Sequence, residues 1–350
     1  MRQSNTIDSI APSVAEHSAL HPDSHMVPER FSLVVPVFNC KELLRTCFDS
    51  LAVAVKEYGN AEVIAVDNGS TDGSYEILKN EYRNVTVLRY PELSIGALRN
   101  RGVQVASGEY LSFIDADCVI PPEYFREARA TFRDSNAAAT GSMCRIPESS
   151  TWVERTWHAL NSHSQNGFVK YLNSGNFVVR RQVFTAVGGF NEKLTTGEDT
   201  EMGQRLRSQG FRIYENHRVG AIHLRNSKTL SQFFRRHAWH GQGLLIPSSA
   251  SWLNRPLLMM CGHLALTIFG AGQLLQPRVS LPMRLIRLLL AINLVPVTTF
   301  LYRSVSNRRL SSLLRGIVLY HFYYAAKLYA LLKFARRRRS RTYHKLRFAT

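Results

Sequence analysis

Residues 31–117 alternate short apolar runs with helical stretches, and the runs close on polar side chains. Phe31-Ser-Leu-Val-Val-Pro-Val-Phe38 stops at Asn39, Glu62-Val-Ile-Ala-Val-Asp67 ends in its own carboxylate, and Tyr110-Leu-Ser-Phe-Ile114 runs into Asp115-Ala116-Asp117. Branched and aromatic runs of this length, bounded by residues such as Gly108 and Pro121-Pro122, predict buried strands. Val85–Arg89 predicts another. Between them, Leu44, Phe48, Leu51 and Val55 recur at helical spacing, and Asn39 stands three residues before Glu42, the spacing of a capping box. Asn68-Gly69-Ser-Thr-Asp-Gly73 predicts a turn feeding a helix through Ile77 and Leu78, and residues 94–106 predict a further helix. Strands joined by helical crossovers build a parallel sheet, so the expected class is α/β with a mostly parallel sheet flanked by helices. Ligands in such sheets bind beyond the C-terminal strand ends, where Asn39, Asp67 and Asp115 all arrive.

Asp115 and Asp117 sit one residue apart, with no Lys or Arg beside them in sequence. A carboxylate pair of this kind suits a hard divalent cation, Mg²⁺ or Mn²⁺, that shares its shell with substrate phosphates; it also suits a solvated acidic turn. The glycines exclude two other phosphate sites. No G-x-G-x-x-G follows the first strand, and no G-x-x-x-x-G-K-[ST] occurs.

Farther along, Leu172-Asn173-Ser-Gly175-Asn176-Phe-Val-Val-Arg180 places polar residues before a strand, and Arg181 to Phe190 reads as a short helix closed by Gly188-Gly189. Thr196 or Gly197 can cap a helix whose first turn carries Glu198, Asp199 and Glu201, an arrangement that also simply suits the helix dipole. Phe211–Tyr214 and Val219–Leu224 predict short strands, the second bearing His223. Residues 229–242 predict a basic amphipathic helix with Arg235 and Trp239.

The formal net charge of +18 calls for an anionic partner. Arg336-Arg-Arg-Arg-Ser-Arg341 follows three apolar runs, Leu257–Gly272, Leu288–Tyr302 and Ile317–Phe334. That placement favours a membrane surface over nucleic acid, which is not expected as a partner. Five cysteines without C-x-x-C spacing predict reduced thiols and no zinc site, with Cys118 as a small packing residue. Residues 1–30 lack the apolar core of a signal peptide and read as a disordered leader, which keeps the catalytic part in the cytoplasm. A basic cytoplasmic tail then requires an even number of crossings, so two crossings and one interfacial helix are expected. The domain plan is a leader at 1–30, a catalytic domain at 31–245, membrane-associated helices at 250–335 and a basic tail at 336–350.

Val35-Pro-Val-Phe-Asn39, Val66-Asp-Asn-Gly-Ser-Thr-Asp72, Leu98-Arg-Asn-Arg-Gly102 and Phe113-Ile-Asp-Ala-Asp117, in this order and spacing, resemble the nucleotide-binding motifs of family 2 glycosyltransferases. The resemblance covers about residues 31–245. It implies a GT-A fold and metal-dependent, inverting transfer of a sugar from a nucleotide-diphosphate donor, a UDP-sugar by expectation. It also implies a lipid-linked or polysaccharide acceptor, cell-surface or exopolysaccharide synthesis, and an inner (cytoplasmic) membrane location with the catalytic domain facing the cytoplasm. By the same resemblance Pro36, Phe38, Asn39, Asp67, Gly69, Arg99, Asn100, Asp115 and Ala116 frame the nucleotide sugar. Asp117 and Asp115 hold Mg²⁺ or Mn²⁺, with His223 completing the shell. Asp199 is the catalytic base, with Glu198 next in line, and Asn173, Gly175, Asn176, Arg235 and Trp239 meet the acceptor. Gln232 to Trp239 resembles the Gln-x-x-Arg-Trp signature of processive synthases, but the tryptophan does not directly follow Arg235. A degenerate binding module would lack Asp117 or Asp199. A nucleotidyltransferase would show a Gly-rich basic loop where Val37-Phe38-Asn39-Cys40 stands.

Overall fold

The structure, a computed structural model, describes residues 29–162, 165–241, 255–306 and 312–347. Most of the expected leader lies outside the described residues. The first half follows the strand-helix alternation: β1 (Phe31–Val37), α1 (Lys41–Tyr58), β2 (Ala61–Asp67), α2 (Ser74–Glu81), β3 (Val85–Arg89), α3 (Ile95–Val105) and β4 (Tyr110–Ile114). These strands pair in the order β3-β2-β1-β4, all parallel, with Val37 opposite Asp67. Every residue of β1 is buried because helices cover both sheet faces. Alternate residues divide between two cores. Leu33 and Val35 pack with Leu44, Phe48 and Phe125, while Val34, Ile64 and Val66 pack with Leu98 and Phe113.

The second half departs from a purely parallel plan. It runs through β5 (Cys118–Val119), α4 (Tyr124–Asp134), β6 (Ala139–Gly141), α5 (Trp152–Asn161), β7 (Gly167–Val169), β8 (Asn176–Arg180), α6 (Arg181–Ala186), α7 (Glu198–Ser208), β9 (Ile213–Glu215), β10 (Ile222–His223) and α8 (Leu230–His240). β8 joins β4 antiparallel, and the sheet continues to eight strands as β4-β8-β6-β9-β7. The sheet is therefore parallel where helical crossovers connect the strands and mixed where the strands are short.

Several local expectations change. Asn39 does not cap α1: Cys40 holds that position, and Asn39 takes a left-handed φ of 47° while its Oδ1 accepts the Thr71 N–H. An Asn tolerates this conformation because its short polar side chain bonds locally. The strand expected over Val219–Leu224 shrinks to Ile222–His223, which pairs with Cys118–Val119 in a separate two-stranded ladder.

The C-terminal region forms α9 (Arg255–Gln273), α10 (Leu281–Ser306) and α11 (Leu313–Arg347). Among the described residues one helix, Leu281–Val305, is long and apolar enough to cross a membrane, and Leu257–Gln273 is a shorter apolar helix. The expected pair of crossings thus has one full-length candidate. Leu290 and Val305 on α10 are 67% and 77% exposed, a surface that water does not favour.

Gly102 shows how closely α3 lies on the sheet: a Cβ there would overlap Val34 Cγ1. Gly102→Val is therefore expected to force α3 off the strands and destabilise the fold by about 1–3 kcal/mol. Thermal unfolding of the variant beside the unmodified chain measures this; an unchanged midpoint would show that α3 does not depend on the contact.

Candidate active site

The C-terminal ends of β1, β2 and β4 lie along one edge of the sheet. At the end of β1, Pro36 is buried in the strand, Phe38 is 57% exposed, and the Asn39 and Cys40 amides donate to Ser70 Oγ and Ser74 Oγ. These bonds lace the β1 end to the β2 turn. Asp67 is fully buried and accepts from the Gly69 and Ser70 amides at 2.9 and 3.0 Å, with Gly69 at φ 81°. It shapes its own turn. Ala116 is buried, and its carbonyl accepts from the Cys40 thiol.

Arg99 ties the two halves of the site together. It rises from α3 with its side chain 1% exposed, and it donates to Asp115 Oδ1 and Glu198 Oε1, each at 2.8 Å. The carboxylate pair at the β4 end is therefore not free of basic partners, as its sequence neighbourhood suggests. Arg99 comes from a helix sixteen residues earlier. Gly175 makes room: a Cβ there would stand 2.5 Å from Asp115 Oδ2. Ser174 Oγ adds a bond to Glu198 Oε1 at 3.0 Å. Glu198 is consequently engaged as an ion-paired carboxylate.

Asn100 and Asn176 are both hydrogen-bonded within the fold. Asn100 bonds the Phe190 amide and carbonyl, fixing the loop before α7. Asn176 is fully buried and spans Tyr124 Oη, Ser142 O and Val219 O. Asn173 is half-buried at the mouth of this loop, and its carbonyl accepts the Asn176 N–H.

Asp117 lies 3.5 Å from His223 Nε2, because the β5–β10 ladder sets His223 opposite Cys118. Asp117 Oδ1 and His223 Nδ1 are buried without hydrogen-bond partners. One ligand atom each from Asp117, Cys118 and His223 lies within 4.8 Å of the others. Burial raises the Asp117 pKa, and the neighbouring Asp115 adds to this, against the charges of His223, Arg236 and Arg225. A buried carboxylate oxygen without a donor, beside an imidazole, fits a divalent cation. Arg225 and Arg236 stand out only in the fold. Arg225 Nη1 donates to Asn39 O and Arg236 Nη1 to Arg225 O, so two cations border the site that the sequence motifs did not mark. The signal available in sequence was the position of Arg225 two residues past His223, just beyond the short strand.

Asp199 opens α7, half-buried beside an apolar recess of Leu172, Phe177, Phe190 and Met202. Burial, with the adjacent Glu198 charge, pushes its pKa up to about 6. Its Oδ1 accepts the Thr200 N–H at 2.6 Å. On α8, Phe233 is buried, Arg235 is exposed, and Trp239 is 45% exposed with its ring 4.8 Å from that of His240. Both Arg235 and Trp239 remain available to a ligand.

Comparison with known proteins bears on this geometry. Residues 32–188 match the model of glycosyl transferase family 2, and residues 156–226 match one described as the N-terminal domain of galactosyltransferase. Glycosyltransferase AglE of Haloferax volcanii is 28% identical over 55% of this chain and 66% of its own length. The succinoglycan biosynthesis protein ExoA of Rhizobium meliloti is 29% identical over 60% of this chain and 68% of its own length. The O-antigen biosynthesis protein RfbC of Myxococcus xanthus is 24% identical over 77% of this chain, which spans 23% of that protein. The mannosyltransferase PcManGT of Pyrobaculum calidifontis, solved with GDP-Man and Mn²⁺, superposes with a TM-score of 0.59 at 17% identity, over 87% of this chain and 86% of that one. The parallel strands, the acidic edge at Asp115–Asp117 and these matches agree in fold and in sequence: residues 32–188 carry a glycosyl transferase family 2 domain, and the chain is a glycosyltransferase.

Proposed function

We propose that this chain transfers a sugar, with inversion, from a nucleoside-diphosphate sugar (a UDP-sugar by preference) to a hydroxyl of a lipid-linked or glycan acceptor. The observation that carries the reading is Asp117 Oδ1, buried without a partner 3.5 Å from His223. Asp117 and His223 would hold Mn²⁺ or Mg²⁺. When bound, the ion offsets the charge that grows on the departing nucleoside diphosphate. Arg225 and Arg236 supply fixed positive charge on the same side. Arg99 holds Asp115 and Glu198 in place, so Glu198 is spent on structure and Asp199 is the base. A hydroxyl is too weak an acid to ionise at neutral pH, and the Asp199 carboxylate accepts its proton as the oxygen attacks. One displacement with one base inverts the anomeric carbon, and no second carboxylate stands free as a nucleophile in this assignment. Residues 31–245 are read as the catalytic unit, 250–335 as helices on or in the inner membrane, and 336–350 as a basic tail. The reading extends to exopolysaccharide or other cell-surface synthesis, with the catalytic unit facing the cytoplasm; relatives named for succinoglycan and O-antigen biosynthesis support the first part.

Membranes carrying the full chain, given a panel of nucleotide sugars with Mn²⁺, are expected to release nucleoside diphosphate from one donor. Asp117→Asn should lose Mn²⁺-dependent nucleotide binding and turnover together. Turnover by Asp117→Asn that responds to Mn²⁺ like the unmodified chain would remove Asp117 from the ion site.

Asp199 gives a pH test with a definite sign. The base works ionised, so kcat/KM should fall about tenfold per pH unit below about 6 and level off above it. Asp199→Asn should lower kcat about 10²–10⁴-fold with nucleotide affinity kept. Burial raises this carboxyl above its unfolded value, so its stabilising contribution is present at low pH and lost as pH rises through about 6. At pH 8 Asp199→Asn should therefore melt no lower than the unmodified chain. A flat pH profile from 5 to 8, with chemistry limiting, would rule out this base.

A further inference from the structure

The Asp199 carboxylate accepts from the amide and the hydroxyl of Thr200, both on the next residue. Its position is therefore inherited from the first turn of α7 and from the loop that leads into it. Asn100 fixes the start of that loop at Phe190, and Arg99 and Ser174 hold Glu198 just beyond its end. Between them, Thr196 is 4% exposed, and its Oγ1 lies 3.0 Å from Nδ1 of His240 on α8. Gly197 follows at a left-handed φ of 84° and gives α7 no side-chain cap. A glycine at this joint restrains the backbone least, so the direction of the first turn depends on what is held on either side of it.

His240 is itself held. It is the last residue of α8, whose Phe233 packs with Leu319 and whose His237 ring centre lies 5.2 Å from that of Tyr323, both on α11. At the next residue, a Cβ on Gly241 would stand 2.6 Å from Ala330 Cβ, so the end of α8 lies tight against the same helix. The Trp239 ring backs the His240 ring at 4.8 Å. Burial, and then the charges of Arg236 and Lys327, push the His240 pKa down to about 4. The ring is therefore neutral near pH 7, with one nitrogen to donate and one to accept. The Thr196 hydroxyl, withdrawn from water, has this imidazole as its partner, and removing the ring would strand it.

We propose that His240 is a positioning residue for the transfer: through Thr196 it fixes the direction of the α7 first turn and so aims Asp199 at the acceptor hydroxyl. This rests on the transferase reading above. His240 touches neither donor nor acceptor in this role. It carries the packing of α8 on α11 to the base, so the C-terminal helices share in aligning the reaction from outside the site.

The full chain would be compared with His240→Phe, His240→Asn, Thr196→Val and the double variant His240→Phe with Thr196→Val. Amide exchange and the binding of UDP and GDP with Mn²⁺ are read in phosphatidylcholine nanodiscs, and nucleoside-diphosphate release from the donor panel is read in membranes. Phenylalanine keeps a ring beside Trp239 and loses the bond, whereas asparagine can place a polar atom near the Nδ1 position. His240→Phe and Thr196→Val should each speed exchange at residues 194–200 about tenfold, as expected for a lost hydrogen bond to a buried group. Each should lower kcat about 10–100-fold, the effect of a misplaced base, with nucleotide affinity and donor KM within about twofold. The double variant should be no worse than either single one, and His240→Asn should stay within about threefold of the unmodified chain. Unchanged kcat in His240→Phe, or losses that add in the double variant, overturns the positioning role. A fall in kcat matched by weaker nucleotide binding and by faster exchange across β1 and α3 is a general loss of structure and overturns it as well. No release by the unmodified chain from any donor strikes the transferase reading instead, and the exchange rates alone then decide whether His240 anchors the loop.

Discussion

The buried guanidinium of Arg99 is the contact on which the site depends. It leaves water almost completely, a costly step that only paired, hydrogen-bonded acceptors offset. Asp115 and Glu198 supply them from opposite halves of the domain, one at the end of β4 and the other at the start of α7. The loop after β4 and the first turn of α7 are therefore fixed by a single planar group. A lysine could not make both bonds from one point charge with the same geometry.

That arrangement also sorts the acidic residues by task. Four of the carboxylates at this end of the sheet are divided by their neighbours. Asp115 and Glu198 are held by Arg99, while Asp117 faces an imidazole with an oxygen left over. Asp199 meets apolar walls and a like charge, which favour its protonated form more than solvent would. Residues adjacent in sequence, Glu198 and Asp199, end with opposite electrostatic surroundings because the first turn of a helix points them in different directions.

Much of the catalytic half was legible in the chain. β1, β2, β3 and β4 follow from apolar runs whose ends are marked by polar residues or glycine, and their parallel order follows from the helices between them. The antiparallel docking of β8 against β4 was not legible, since β6, β7 and β9 are only three residues long and leave no clear period. Several motif residues are engaged within the chain itself. Pro36, Asp67, Asn100 and Asn176 all look like ligand contacts in sequence, yet they are buried or bonded to backbone within the chain. Buried polar groups must be satisfied somewhere, and a loop-rich sheet edge provides backbone partners that sequence does not reveal. Arg225 and Arg236 were missed for the converse reason. Their position beside the acidic edge depends on the β5–β10 ladder, a long-range pairing without a local signature.

That two-residue ladder has a consequence for how the protein comes into being. Asp117 and His223 are separated by roughly a hundred residues of chain, and only the pairing of Ile222–His223 with Cys118–Val119 brings them together. Contacts of such sequence separation form late, after the local strand-helix units. On the ribosome, the four parallel strands can assemble while the imidazole is still unmade, so a nascent chain owns the acidic edge before it owns the second ligand. In the proposed assignment, capture of a metal–nucleotide complex is thereby deferred until nearly all of residues 31–245 have emerged, and the C-terminal helices are the next segment to follow.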